Sequence, residues 1–546
     1  MARGSVQQLV LRLIGAMGTC DPAAVAPASE EAELPAAAGG RSTRDGAPAL
    51  QAYTPSPWGD FFLSHQPCTP SQLLCMKERA RLKEEEVRQI VRDTFASSSD
   101  MALKLELVDT LQRIRVAYRY GQEIDELLRA VRRDAQHQEG GRDDELYVTS
   151  LRFYLLRKHG CSVSSDVFRK FRDDQGNFAS DDDVNGLLML YDAAHLRTRG
   201  EEVLDGAVTF TKIRLQSVMD SLEPELTKEV RCTLDTPRCR RVQRVEARRY
   251  ISVYEQKAAA RSDAILELAK LDYNILQALY CDELRSLTIW WKDLRSRADL
   301  RFAREKSGGD YSYSRILLTK FFKLVSLIDD FCDSYSTTEE SEKFTMAIER
   351  WDEEDAELFP AYMKALYINF IDITQCYHAE VKWRDERYIQ AKVEEHLQLS
   401  APSSACMRIT NLAFISLGDV ATREDIGWVS SYPKIIRGVC IIARISNDIM
   451  SHEREQASEH VVSTVQTCMK EYGFTVEQAK GKLGALIDEA WMDIVEACLD
   501  GGNLMALLEK VVNLARGMDH MYKRDDAYTF SLGLKDTIAS AFMDSL

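Results

Sequence analysis

Two stretches of the chain carry oxygen-bearing side chains at helical spacing. In "YSRILLTKFFKLVSLIDDFCDSYSTTEE", residues 313–340, Asp329 and Asp333 fall one turn apart and share a helix face. Asp330 lies about 100° away and is better placed for an ion pair or hydrogen bond. The same face holds Leu318, Phe322 and Val325, so an apolar wall ends in two carboxylates. In "KIIRGVCIIARISNDIMSHERE", residues 434–455, Asn447, Ser451 and Glu455 follow at i, i+4 and i+8. An amide carbonyl, a hydroxyl and a carboxylate on one face make a hard-ligand triplet suited to magnesium. Arg444 sits three residues earlier on nearly the same face. A guanidinium there is placed to grip a phosphate by paired hydrogen bonds.

Either string alone fits a polar helix face. Together they say more, because both follow strongly apolar helical runs and interrupt what should be buried core. Unpaired carboxylates there would be costly, and a bound metal removes that cost. Two acid-tipped helices facing each other over an apolar cavity would hold a metal–diphosphate cluster above a greasy chain.

The elements that must position these residues are helices. From Lys77 nearly to the end, apolar residues recur at three- and four-residue spacing, as in "LYVTSLRFYLLRKHG" and "AILELAKLDYNILQALYCDELRSLTIWW". No convincing series of alternating strands occurs, so the fold class is all-α. Residues 1–50 are rich in Ala, Gly and Pro and are expected to be a disordered extension. "WGDFFL", residues 58–63, is expected to dock this strap onto the body. A boundary near residue 250 divides an N-terminal helical domain (51–250) from a metal-binding domain (251–546). The basic stretch from Thr233 to Glu255 reads as solvated surface or inter-domain contact.

Of the 546 residues, 45% are hydrophobic and 29% charged, which excludes collagen-like, mucin-like and wholly disordered chains. Lys+Arg is 70 and Asp+Glu 86, a net charge of −16, which argues against a nucleic-acid partner. The 13 cysteines lack metal-ligand spacing and fit reduced thiols. No apolar run is long enough to span a bilayer. The basic, apolar start could open a transit peptide, but "ASEEAELP" follows and transit peptides are poor in acids. A cytoplasmic location is therefore expected, with a plastid as the alternative. His159 and His195 read as structural or surface residues, and Cys332 as packing.

At these residues the sequence resembles the plant class I terpene synthases, especially grass sesquiterpene synthases. The resemblance runs from about Tyr53 to the C-terminus through "WGDFFL", "VSSDVFRKFRD", "LYDAAHLRTRGEEVLD", "WWKDL" and "VQTCMKEYG". It implies an N-terminal helical barrel followed by a class I catalytic bundle. It places Asp329, Asp330 and Asp333 in one metal motif and Asn447, Ser451 and Glu455 in the other. Three magnesium ions are implied, with manganese as a substitute. Asp329, Asp333 and Arg444 would be catalytic, and Arg304 and Asn447 would join them in holding a prenyl diphosphate. "MYKRDDAYT" resembles the segment that caps the pocket, making Asp526 and Tyr528 candidate cap residues. A monomer acting on farnesyl diphosphate is expected.

The departures are specific. A class II D-x-D-D string is absent, the nearest being Ser180 to Asp183, which reads as a solvated loop. Pro48 and Ala49 stand where many monoterpene synthases carry paired arginines, which favours farnesyl over geranyl diphosphate. Arg304 matches the first family arginine, but Lys306 replaces the second. Stretches present in the family are missing near 306–310, where a pocket aromatic is lost, and near 370–375, where one helix normally ends and the next begins. Such losses should leave voids and exposed apolar faces. The alternatives to an active sesquiterpene synthase are thus a catalytically impaired relative, an inaccurately assembled gene, or a monoterpene synthase. A chain-elongating prenyltransferase ranks low, since that class usually has two aspartate-rich motifs and no barrel domain.

Overall fold

The computed structural model describes residues 58–546 apart from 99, 138–144, 174–177, 179–182, 258–260, 298–311, 335, 350–360, 418–419, 458–460 and 501–504. Arg304 and the first missing stretch lie outside the described residues. The N-terminal helices are α1 (Phe61–Ser64), α2 (Pro70–Ser97), α3 (Met101–Arg113), α4 (Gly121–His137), α5 (Leu146–Lys158), α6 (Val184–Ala194), α7 (Glu202–Val218), α8 (Pro224–Asp235) and α9 (Gln243–Gln256). The long α10 (Asp263–Arg297) leads into α11 (Ser312–Ser334), α12 (Thr338–Glu349), α13 (Ala361–Asp385), α14 (Val393–Ser403), α15 (Cys406–Ser416) and α16 (Arg423–Ser430). Then follow α17 (Lys434–Glu455), α18 (Thr464–Tyr472), α19 (Val476–Asp500), α20 (Met505–Met521) and α21 (Lys535–Phe542). The expected all-α class is what forms. Among the described residues the one strand-like pairing is an antiparallel bridge between Arg172 and Phe178.

Local chemistry sets several boundaries. Thr69 and Gln72 cap α2 reciprocally, with Pro70 at the first helical position. Asp183 accepts hydrogen bonds from the backbone N–H groups of Asn185 and Gly186, so the last residue of the acidic string is a helix cap. Gly438 allows α17 to approach α19: a Cβ there would meet the Ala490 carbonyl oxygen at 3.0 Å. The missing stretch near 370–375 is absorbed differently from the expectation of two broken helices. Residues 361–385 form one unbroken helix, and Ile373, Tyr377 and Val381 keep its buried face in register.

The largest core gathers residues from α2 to α7 and α9 and also takes Ala264 to Tyr273 from the first half of α10. A second core gathers around α15, α17, α19 and α20, and a third joins Trp291 to the inner faces of α11 and α13. Cys332 is buried in the third, as a packing residue. "WGDFFL" does dock: Phe62 is buried edge-to-face on Phe542 of α21, and Asp60 pairs with Lys292 at 2.6 Å.

The basic stretch from Thr233 to Glu255 is contact rather than solvated surface. Arg240 pairs with Asp488 of α19 at 2.7 Å, and the Cys239 carbonyl accepts from Arg516 of α20 at 2.8 Å. Arg113 donates to both Glu229 and Glu246 at 3.0 Å, and Arg249 bridges the same two acids. Burial opposes ionisation of Glu229, but Arg113 and Arg249 outweigh it and hold its carboxyl at about 2. Glu246 is also held low, burial being outweighed by Arg241, Arg113 and Arg249. A depressed carboxylate contributes stability above its unfolded value and loses it as pH falls through its folded value. Stability should therefore fall steeply between about pH 4.5 and about pH 2. Denaturant melts of Arg249→Leu should show a lower plateau at neutral pH and a shallower acid slope; an unaltered slope would contradict the network's role.

Candidate active site

Helix α17 contributes more of the site than any other element. Its first two thirds bury Ile435, Ile436, Val439, Cys440, Ile442 and Ala443 in the second core. The apolar run then gives way to Asn447, Asp448, Ser451 and Glu455 over the last turns. Across from it, α11 buries Phe321, Leu324, Val325, Ile328 and Cys332 and brings Asp329 to the same space. Between them lies a cavity of about 1070 Å³, counting its open mouth. Asp329, Arg444, Asn447 and Glu455 all line it, so Asp329 converges with residues 115 or more positions away, as their types suggested. Phe322, Val325, Tyr377, Met518, Tyr522 and Tyr528 supply an apolar and aromatic lining.

The remaining candidates fall as follows. Asp330 and Asp333 lie on α11, but their side chains are outside the described residues. Ser451 is fully buried and donates to the Asn447 carbonyl at 2.9 Å; it is not part of the cavity wall. Both cap candidates bridge the helices. The Asp526 carboxylate accepts from Arg454 of α17 at 2.8 Å, and the Tyr528 hydroxyl meets Ser326 of α11 at 2.5 Å. Within the segment, Asp526 also accepts from the backbone N–H groups of Thr529 and Phe530, which shapes the turn.

Arg444 is embedded in acceptors. Its Nε donates to the Ser400 carbonyl at 2.9 Å, and its Nη2 to Ser403 Oγ at 2.5 Å and Glu380 Oε1 at 3.2 Å. Burial opposes its charge, but Glu380, Asp448 and Asp329 outweigh that and keep it above the ordinary arginine value. Burial pushes the Glu380 carboxyl up, with Arg444 and Ser403 pulling against it. Asp448, also in the cavity wall, accepts from the Thr464 backbone at 2.6 Å. His396 hydrogen-bonds Thr467, and burial lowers its pKa to about 4, so it is neutral. His195 is likewise buried and lowered to about 3 by burial, its Nδ1 on the Tyr191 carbonyl.

Several of these residues escaped the reading of the sequence. Glu380 and Tyr377 share a buried face with Ile373 and Val381, and that spacing was the available signal. Arg454 had none; "SHERE" reads as an ordinary polar helix end.

The cavity's donor set bears on a metal. Every polar side chain that lines it carries oxygen or guanidinium nitrogen, with no cysteine or histidine among them. Such a set suits a hard divalent cation rather than zinc. Among the described residues no three His, Cys, Asp or Glu side chains form a metal-sized group by themselves. Asn447 contributes a donor of another type.

The family "Terpene synthase, N-terminal domain" matches residues 57–234, and "Terpene synthase family, metal binding domain" matches 307–376 and 368–493. The chain is 48% identical over 527 residues to (E)-beta-caryophyllene synthase of Zea mays, covering 89% of this chain and 95% of that protein. The chain belongs to the terpene synthase family. This terpene synthase is also 41% identical over 535 residues to (E)-beta-farnesene synthase of Zea diploperennis, covering 91% of this chain and 99% of that one. Its fold matches isoprene synthase from grey poplar (Populus x canescens), solved with three Mg2+ ions and dimethylallyl-S-thiolodiphosphate. That match has a TM-score of 0.77 at 28% identity, over 90% of this chain and 99% of that one. The two stretches of the metal-binding match in this terpene synthase overlap at 368–376.

Proposed function

We propose that this terpene synthase ionises farnesyl diphosphate with magnesium and turns the resulting allylic cation into a sesquiterpene hydrocarbon by loss of a proton, which the departed diphosphate can accept. One observation carries the reading: Asp329, Arg444, Asn447 and Glu455 share a cavity with Phe322, Tyr377, Tyr522 and Tyr528. Asp329 and Glu455, with Asn447, would hold magnesium, joined by Asp330, Asp333 and Ser451 as the family motifs imply. The metal supplies charge stabilisation for the departing diphosphate. Arg444 offers N–H donors to the same anion. The aromatic walls stabilise positive charge on the chain by their ring faces. The Arg454–Asp526 and Tyr528–Ser326 contacts draw the cap segment over the mouth and keep water from the cation. The 48% and 41% identities to sesquiterpene synthases favour a farnesyl over a geranyl chain.

The split of the family match at 368–376 favours a second reading, a synthase that keeps its metal-binding groups but has lost turnover. Purified protein given farnesyl diphosphate and magnesium should release volatile hydrocarbon and inorganic diphosphate. Magnesium-dependent binding of diphosphate without hydrocarbon would establish the second reading instead. We further propose that the protein is a cytoplasmic monomer. A full-length fluorescent fusion gathered in plastids would overturn the location, and twice the chain mass by light scattering the monomer.

A further inference from the structure

We infer that Glu380 and Ser403 are positioning residues that aim Arg444: they tie down one side of its guanidinium and leave its Nη1 edge for the departing diphosphate. The inference rests on the reading of Arg444 as a diphosphate ligand.

Arginine has five N–H donors in a rigid fork. In Arg444 the Nε and Nη2 side is fully committed, to the Ser400 carbonyl, Ser403 Oγ and Glu380 Oε1. Those acceptors are themselves locked together. The Ser403 hydroxyl lies 2.7 Å from Glu380 Oε1 and 2.8 Å from the Ser400 carbonyl. The ring closes across α13, α14 and α17, three separate helices. The Nη1 side is different. Its nearest acid is Asp448 Oδ1 at 3.6 Å, beyond hydrogen-bond distance. Among the described residues Nη1 has no acceptor, and it is not enclosed by protein either. Its two N–H groups are thus the ones available to an anion in the cavity that Arg444 lines.

The ring also explains a carboxylate that the reaction does not otherwise use. Glu380 is 4% exposed and lines the cavity beside Asp329 and Asp448. A bare buried carboxylate there would repel a diphosphate. Covered by Arg444 and Ser403, it holds the guanidinium against capture by Asp448, which would turn Nη1 away.

Binding of inorganic diphosphate with magnesium, measured by calorimetry, tests the inference. Loss of the charged anchor in Glu380→Ala should weaken binding by about tenfold or more, and loss of one neutral hydrogen bond in Ser403→Ala by about threefold to tenfold. Glu380→Gln keeps an acceptor oxygen of the same reach and should restore affinity to within about threefold of wild type. A merely structural ion pair would lower the melting temperature of these variants and leave diphosphate affinity unmoved, which would overturn the inference. So would Glu380→Gln binding as poorly as Glu380→Ala. If Glu380→Ala does not fold, Ser403→Ala and Glu380→Gln decide on the same readout. Arg444→Met is the control that separates the two levels. If it leaves affinity unchanged, Arg444 is no ligand and the reading beneath fails. If it weakens binding while Glu380→Ala and Ser403→Ala do not, only the positioning role fails.

Discussion

Asp329→Ala should cut hydrocarbon formation by about a thousandfold, because a metal ligand supplies several kcal/mol to the separation of diphosphate and about 4 kcal/mol corresponds to that factor. The fold should not change. Helix α11 is held by Phe321, Leu324, Val325, Ile328 and Cys332, which point into the third core, while Asp329 opens on the cavity. Removing it takes no atom from the packed interior. It also removes one of the negative charges that raise the Glu380 carboxyl and one that helps keep Arg444 charged. The far-ultraviolet spectrum and melting temperature should match the parent, and excess magnesium should recover part of the activity. Unchanged turnover at ordinary magnesium would remove Asp329 from the reaction.

Arg238→Met should destabilise the protein by about 3–5 kcal/mol, the cost typical of stranding buried charge. Arg238 pairs with Asp109 and lies 3.8 Å from Asp192, and its backbone N–H donates to Asp192 at 2.9 Å. All three side chains are at most 10% exposed. Its guanidinium also covers the Tyr154 ring at 5.0 Å. Methionine fills the volume and supplies no charge, so Asp109 and Asp192 are left without it. A denaturant melt reads the loss, and addition of Asp109→Asn should recover a large part of it. A loss under about 1 kcal/mol would mean that water reaches the pair and screens it.

The two acid-tipped helices were legible because their signals are local. Apolar spacing marked α11 and α17, and the interruption of that spacing marked Asp329, Asn447 and Glu455. What was not legible is what depends on distant partners. Glu380 meets Arg444 only because α13 and α17 both pack against α14, and no pattern within either helix states that. The basic stretch shows the same limit. Its charges suggested either solvent or contact, and the acids that decide for contact, Asp109, Asp192 and Asp488, lie on three other helices. The missing segment near 370–375 was legible as a loss, yet not its outcome. Ile373, Tyr377 and Val381 lie on one buried face within a single helix over residues 361–385.

The turn around Asp526 to Phe530 is pinned to both acidic helices at once, by Arg454 on one side and Ser326 on the other. An oily hydrocarbon formed beneath it has no polar handle to loosen either pin, so egress must wait for thermal breathing of the turn. One charged and one neutral hydrogen bond together oppose that breathing by about 2–4 kcal/mol, so the open state is populated at only about one part in thirty to one part in a thousand. Weakening either pin should raise the open population by the same factor, a lever on hydrocarbon release that leaves the ionising groups untouched.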